Sequence, residues 1–572
     1  MRGKTTVCGR VGPSPFELKS SLIRILYFIV ATLLTTSLAN TGAVAQSSRS
    51  APFSAQIRSS TQSELREILS SDTQRTAADE ATAAFYAARG FQPVWTGSAE
   101  AERMAEQVRA ALQSAEEQGL RRADYGATAA RWDSIPSPGR DAAEYDLSLT
   151  KDLYRYATDV RTGRTKPKEV YKDIDLPAAD FDFFKTLALA LPSRSMKAFL
   201  ADLPPPYKEY YRLVDALATY RAIVAEGGWP SISAGSEPPA AGSDQRLKAV
   251  KTRLAFEDAE LAVNRNPSND AIHEAIKKFQ RRHGLEADGQ IGPGTLAALN
   301  VPASTRVQQI TANMERWRWL PRTFESRYVR VDVPNQSVEF VRDGEILLTS
   351  RVIVGRKDSP TPILRTMIKS IVANPPWNIP GDIAANQILP KLRSNPNYLA
   401  AAHMVLVNGP PDDPQGRRIN WRAVPAGTFP YQVIQVAGPY STLGALMLDS
   451  PNDFDVYLHD TPGKAFFANN VREISNGCVR VQQIFPLASL ILTNDTKKGL
   501  DQLNKTIALG RTTPIALDDP VPVYMLYWTA VAGADGSVEF RPDRYQRDRR
   551  LLAALGRPTL SAATTTGKPF GT

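Results

Sequence analysis

The stretch YLHDTPGKAFFANNVREISNGCVRVQQ, from Tyr457 to Gln483, holds both a histidine and a cysteine in a chain poor in each. The 572 residues include four histidines and two cysteines, and His459 stands 19 residues before Cys478. A thiol touching an imidazole is a nucleophile with its base. The ring can take the thiol proton or stabilise a preformed thiolate, then supply a proton to a leaving amine. VYLHD reads as a strand with Val456 and Leu458 on one face and Tyr457 and His459 on the other. A loop through Pro462-Gly463 follows, and Asn476-Gly477 is a tight turn entering a second strand with Cys478 at its mouth. Gly477 lets the backbone approach a substrate carbonyl, and the N–H groups near Gly477 and Cys478 suit an oxyanion. Each residue alone has a plainer reading: a core cysteine, an oriented core histidine, a hairpin turn, a surface arginine at Arg480. Their joint occurrence points to catalysis.

The elements around this pair change character along the chain. Met104, Val108, Leu112 and Ala115 form one helical stripe that Gly119 is placed to end, and Leu149, Leu153, Tyr156 and Ala157 repeat the pattern. GFQPVW, Gly90 to Trp95, reads as a turn and an anchor. Residues 62–226 are thus expected as a helical scaffold after a linker at 46–61, and a Gly/Pro/Ser-rich linker at 227–244 closes it. Residues 245–302 carry two short amphipathic helices around Asp288-Gly289, with Ile272, Ile276 and Phe279 on one face. His273 and His283 lie here as packing or surface residues, since no third ligand has metal spacing. After a connecting helix at 303–326, apolar/polar alternation with turns at Pro334-Asn335 and Asp343-Gly344 announces a β domain over 327–510. A Pro-rich, helical insertion at about 376–425 has the position of a lid. A β-hairpin over Asp535-Gly536 belongs to an extension at 511–550, and 551–572 reads as a disordered tail. The fold class is multidomain α+β, mainly β in the catalytic part.

Net charge is +10, which favours acidic partners such as an anionic polymer. The basic residues are scattered, without a zinc-finger or RNA-binding signature, so nucleic acid is not expected. Arg2, Lys4, Arg10, Lys19 and Arg24 precede an apolar stretch from Ile25 to Leu38, and Ala43-Val44-Ala45 is a small-x-small cleavage site. That is the layout of a Sec-type signal peptide over 1–45, with an uncleaved inner-membrane anchor as its alternative. Export to the periplasm is expected either way. Cys8 lies in the leader, so cleavage leaves Cys478 alone and a disulfide framework cannot form.

HD…SNGCVRV resembles the catalytic signature of the L,D-transpeptidases with a YkuD-type domain. VGRKDSPTP (Val354 to Pro362), NPPWNIP (Asn374 to Pro380), LPKLRSNPNYL (Leu389 to Leu399) and GPYSTLG (Gly438 to Gly444) are similar to successive stretches of the family's long Gram-negative form. FQRRHGL…DGQIGPGTLAALN, Phe279 to Asn300, resembles a peptidoglycan-binding domain, there a small three-helix unit. The long form also carries an N-terminal scaffold and a lid.

The resemblance implies that Cys478 attacks a diaminopimelate carbonyl in a tetrapeptide stem, expels D-alanine and holds a thioester. The side-chain amine of a second stem then closes a 3-3 crosslink. It implies His459 as base, the Asp460 backbone as its orienting group, Ser475, Asn476 and Gly477 around the oxyanion, and Arg480, Trp377, Tyr457 and Gly444 against substrate. No metal or organic cofactor is implied; the partners are peptidoglycan stem peptides and the proteins of a cell-wall synthesis complex. Three positions depart from the family pattern: Asn476 for a histidine, Ser441 for an asparagine, and Met447 where a lysine is common. An L,D-carboxypeptidase on the same chemistry, or a non-catalytic wall-binding scaffold, are the alternative functions.

Overall fold

The computed structural model describes residues 50–71, 76–233, 244–264, 266–493 and 495–556. The expected signal peptide, and the tail beyond Gly556, lie outside the described residues. Among the described residues, no helix is long and apolar enough to cross a membrane.

The mainly-β part is a sheet of β2 (Arg327–Asp332), β3 (Ser337–Arg342), β4 (Glu345–Gly355), β5 (Ile363–Ala373), β9 (Leu446–Asp449), β10 (Leu458–His459), β12 (Val479–Val481) and β13 (Thr513–Leu526). The order β5-β13-β2-β3-β4-β12-β10-β9 is completed by a pairing of β9 back onto β5, so these strands close on themselves. Closure leaves them no free edge. Apolar residues, mostly β-branched, on the inward positions build its core, including Val329, Val331, Phe340, Val352, Val354, Ile371, Leu448, Val479 and Val523, all at most 1% exposed. Asp343 and Gly344 take φ of 49° and 82°, the two left-handed residues of the tight hairpin that joins β3 to β4. β11 (Glu473–Ser475) adds beside β4.

Several expectations shift here. Thr513–Leu526, expected in an extension, is a long strand of the closed sheet itself, antiparallel to β5 and parallel to β2. Only Ala530–Ala532 (β14) and Val538–Phe540 (β15) make the separate hairpin. Residues 50–61, expected as linker, begin a helix over Ser50–Ser71. Leu551 and Leu552, expected in a disordered tail, lie in the helix Arg547–Ala554 and are buried. The peptidoglycan-binding segment has four helical pieces, not three: Asp244–Leu254, Ala259–Val263, Asn269–Arg282 and Pro293–Leu299. The Met104–Leu112 stripe ends one turn early, at Ser114, where a 3-10 turn carries the chain to Gly119 at φ 69°.

Two cores meet inside the segment expected as one helical scaffold. Residues from Leu65 to Leu203 form one cluster, anchored by Trp95 at 0% exposure. Tyr171, Ile174 and the helix Lys208–Ala225 belong instead to the core of the sheet. Ile174–Asp175 (β1) even pairs in parallel with β5, at Ile363 and Leu364. The connecting helix Ala303–Arg318 is buried on nearly every side. Arg318 pairs with Glu315 at 3.0 Å and Arg316 with Asp548 at 2.6 Å, while buried Arg306 donates instead to Gln309 Oε1 at 2.9 Å and to the Ala298 carbonyl at 3.2 Å. Buried ions at such a junction need a counter-charge or hydrogen bonds, because one left without a partner costs several kcal/mol.

The insertion is a small body of its own. It is less helical than expected: β6 (Trp377–Ile379), β7 (Met404–Leu406) and β8 (Val433–Gln435) form a separate sheet, and helical turns run from Gly381 to Ala401. Ile379, Leu392, Leu399, Trp421 and Val433 make its private apolar core.

Candidate active site

The spacing of His459 and Cys478 follows from the pairing of their strands. β10 and β12 run parallel, with Leu458 opposite Val479 and His459 opposite Arg480. Parallel neighbours need a crossover of a dozen or more residues. Here the crossover is the loop from Asp460 through the 3-10 turn Lys464–Ala468 and β11. Cys478 stands two residues before Arg480, on the same face of the sheet and diagonal to His459. Strand alternation thus places both residues on one face at the end of two adjacent strands.

His459 is 2% exposed. Its Nδ1–H donates to the Asp460 carbonyl at 2.5 Å, which leaves Nε2 with the lone pair. Burial, reinforced by the Arg480 charge, lowers its pKa to about 4, so the ring is neutral at pH 7. Cys478 is partly exposed. Burial of its sulfur raises the thiol pKa, against the lowering influence of the Tyr457 backbone and Arg480. Both groups rest neutral, which favours proton removal during attack over a stored thiolate–imidazolium pair. The thiol donates to the Asp455 carbonyl at 3.7 Å rather than to the imidazole. Asp455 holds φ at 52°, an uncommon conformation for a residue with a side chain.

The turn before Cys478 is tied from several sides. Ser475 Oγ donates to the Cys478 carbonyl at 2.6 Å and accepts the Gly477 N–H at 3.2 Å. Gly477 has φ of 113°, and its carbonyl accepts Thr361 Oγ1–H at 2.7 Å. In this structure the Gly477 N–H is engaged by Ser475 within the turn. Asp460 is 6% exposed; its carboxylate accepts the Ala445 N–H at 2.9 Å and pairs with Lys464. A Cβ at Gly444, whose φ is 64°, would meet the Asp460 side chain at 2.4–2.5 Å. Gly444 thus supports Asp460 by close approach. Tyr457 lies beside the thiol and its hydroxyl donates to Asp455 Oδ1 at 3.3 Å. Arg480 is half-buried, with its Nε unpartnered among the described residues.

Trp377 is set apart from this group, at the start of the insertion's sheet opposite Gln435. Of the departures, Ser441 is buried and capped into the loop by Leu443 N–H at 3.3 Å, while Met447 pairs directly opposite His459. Asn476 joins two elements: its Oδ1 accepts from Arg356 and, at 3.1 Å, from Gln387 of the insertion. Thr361, Arg356, Gln387 and Asp455 were missed by residue-level reading. The first two lie inside VGRKDSPTP, a stretch noticed for its family likeness without roles for its side chains. Among the described residues, no group of three or more His, Cys, Asp or Glu could hold a metal ion.

Comparison with known proteins adds three matches. Residues 326–515 fit the family model described as "L,D-transpeptidase catalytic domain", residues 80–217 a "Scaffold domain", and residues 245–299 a "Putative peptidoglycan binding domain". A curated relative from Haemophilus influenzae, named "Putative L,D-transpeptidase", is 32% identical over 54% of this chain and 64% of its own length. This chain thus spans somewhat under two thirds of that relative. Among solved structures, an L,D-transpeptidase domain of Xylanimonas cellulosilytica is 14% identical, covering 51% of this chain and all of its own, at a TM-score of 0.16. An L,D-transpeptidase of Enterococcus faecium is 10% identical over 36% of this chain and 52% of its own, at 0.17. Such scores define no common superposition, and the fold stands on the strand order above. The matched segment 326–515 contains both His459 and Cys478, so this part of the chain is similar to an L,D-transpeptidase catalytic domain.

Proposed function

We propose that this protein is a cysteine L,D-transpeptidase that forms 3-3 crosslinks between peptidoglycan stems outside the cytoplasm. The observation that carries the reading is the partly exposed Cys478 on the same sheet face as a buried, neutral His459 whose Nδ1–H is tied to Asp460. As the sulfur attacks the diaminopimelate carbonyl of a donor tetrapeptide, His459 Nε2 takes the thiol proton. The Cys478 N–H, next to the left-handed Gly477, receives the oxyanion. The C–N bond to D-alanine breaks, the proton passes from Nε2 to the leaving amine, and a thioester remains. The amine of a second diaminopimelate then attacks that carbonyl and gives its proton to His459. The C–S bond breaks, and the proton returns to sulfur. Arg480 and Tyr457 line the approach to the thiol, and Asp460 positions the base from behind. The segment at 245–299 supplies a wall-binding surface that keeps the catalytic domain near its substrate.

The test is incubation with disaccharide-tetrapeptides and identification of products by mass. A dimer joined through two diaminopimelates is the expected product. Tripeptide without dimer assigns the same site to hydrolysis, and unchanged tetrapeptide from folded protein assigns the chain to wall binding alone.

A further inference from the structure

The loop from Gly355 to Thr361 wraps the turn that carries the nucleophile. Gly355 N–H donates to Thr361 Oγ1 at 2.9 Å, and Thr361 holds the Gly477 carbonyl. Arg356 N–H donates to the Ser475 carbonyl at 3.0 Å. The backbone thus fixes Arg356 within three residues' register of Cys478. Its guanidinium donates through Nη1 to Asn476 Oδ1. That oxygen also accepts Gln387 Nε2, and Asn476 Nδ2 returns to Gln387 Oε1 at 3.4 Å. Gln387 comes from the π-helical turn Ala384–Ile388 of the insertion, a distortion often found at functional sites.

The partner of Arg356 is therefore a neutral amide, and among the described residues it forms no ion pair with a carboxylate. An arginine has five N–H donors in a planar fork, and one is spent here. A half-buried cation with most of its fork unspent, beside a nucleophile that acts on peptides, is complementary to a carboxylate. One peptide residue spans at most about 3.3–3.6 Å. A carboxylate one residue past the attacked carbonyl is then within reach of a side chain clasped two positions from Cys478.

We propose that Arg356, held by Asn476 and roofed by Gln387, receives the free α-carboxylate at the end of the donor stem. It thereby selects donors with a single residue beyond the bond to be broken. The inference rests on the transpeptidase reading and names the donor-selecting residue of that site. Because Gln387 belongs to the insertion, the receptor is complete only when the insertion is seated on the turn.

The test compares kcat/KM for a disaccharide-tetrapeptide and for the same compound with a C-terminal carboxamide, using the full chain and Arg356→Gln. Wild type should prefer the free acid by about 10–100-fold, the worth of a hydrogen bond to a charged group. Arg356→Gln should lower the acid far more than the carboxamide, so that the two are used alike. Alkylation of Cys478 by iodoacetamide should proceed alike in both proteins. Persistence of the preference in Arg356→Gln overturns the proposal and assigns the carboxylate elsewhere, with Arg480 first in line. An equal fall on both substrates, with or without slower alkylation, also overturns it, because Arg356 then only shapes the turn. A wild type inert towards both compounds refutes the transpeptidase reading itself.

Discussion

His283 and His459 are two buried histidines with the same local chemistry and different surroundings. Each is at most 3% exposed, and each donates Nδ1–H to a backbone carbonyl, Phe279 at 2.8 Å for the first and Asp460 for the second. Burial lowers both pKa values, to about 3 and about 4 respectively. Yet His283 stacks on Phe279 at 3.8 Å and faces Phe540, a residue of the β14–β15 hairpin, whereas His459 shares its sheet face with a partly exposed cysteine. A neutral, oriented imidazole is thus a product of packing. In the proposed mechanism it acts as a base only where a strand end places a thiol on its face.

Removing the nucleophile should break the comparison most completely. Cys478→Ala is expected to abolish both crosslinking and tripeptide formation, a loss on the order of 10⁶ where such a nucleophile is removed. Since the side chain is partly exposed, melting should show a stability change of about 1 kcal/mol or less. His459→Gln keeps a polar side chain but removes the base, and should cost about 10²–10⁴ in the acylation rate. If acylation persists at the wild-type rate, the ring is no more catalytic than His283.

The pH dependence sharpens the contrast in a second way. A base with pKa lowered to about 4 stays unprotonated down to that value, so acylation should hold from neutrality to about pH 5 and fall only below. A fall centred near 6.5 would mean an ordinary exposed imidazole. The smallest effect belongs to His283→Phe, which should leave crosslinking within about twofold. Between pH 6.5 and about 3 the unfolded chain binds a proton that folded His283 refuses, so folded stability is lost as pH drops through that window. The Phe variant should lose less of its melting temperature over the same range, read by paired melts from pH 7 to 4.

How much of this was legible in the sequence depends on the range of the interaction. The hairpin at Asp343-Gly344 and the strand placement of His459 are local, written in turn chemistry and alternation. The cysteine after a turn glycine was legible because only one other cysteine, in the leader, competes with it. Pairings between distant segments carry no such local mark. Nothing in the alternation of Thr513–Leu526 says that it lies between β5 and β2, and nothing in Ile174–Asp175 says that it joins the same sheet. The use of the Gly477 N–H by Ser475, and of Asn476 by Arg356 and Gln387, depends on side-chain directions fixed only after those strands assemble.

The most direct measurement of the central claim is peptide mapping by mass after exposing the folded full chain to a carbapenem. A stable adduct confined to the peptide containing Cys478, formed at least about 10²-fold more slowly in His459→Gln, is the predicted result. An adduct on another residue, or none on folded wild-type protein, contradicts it.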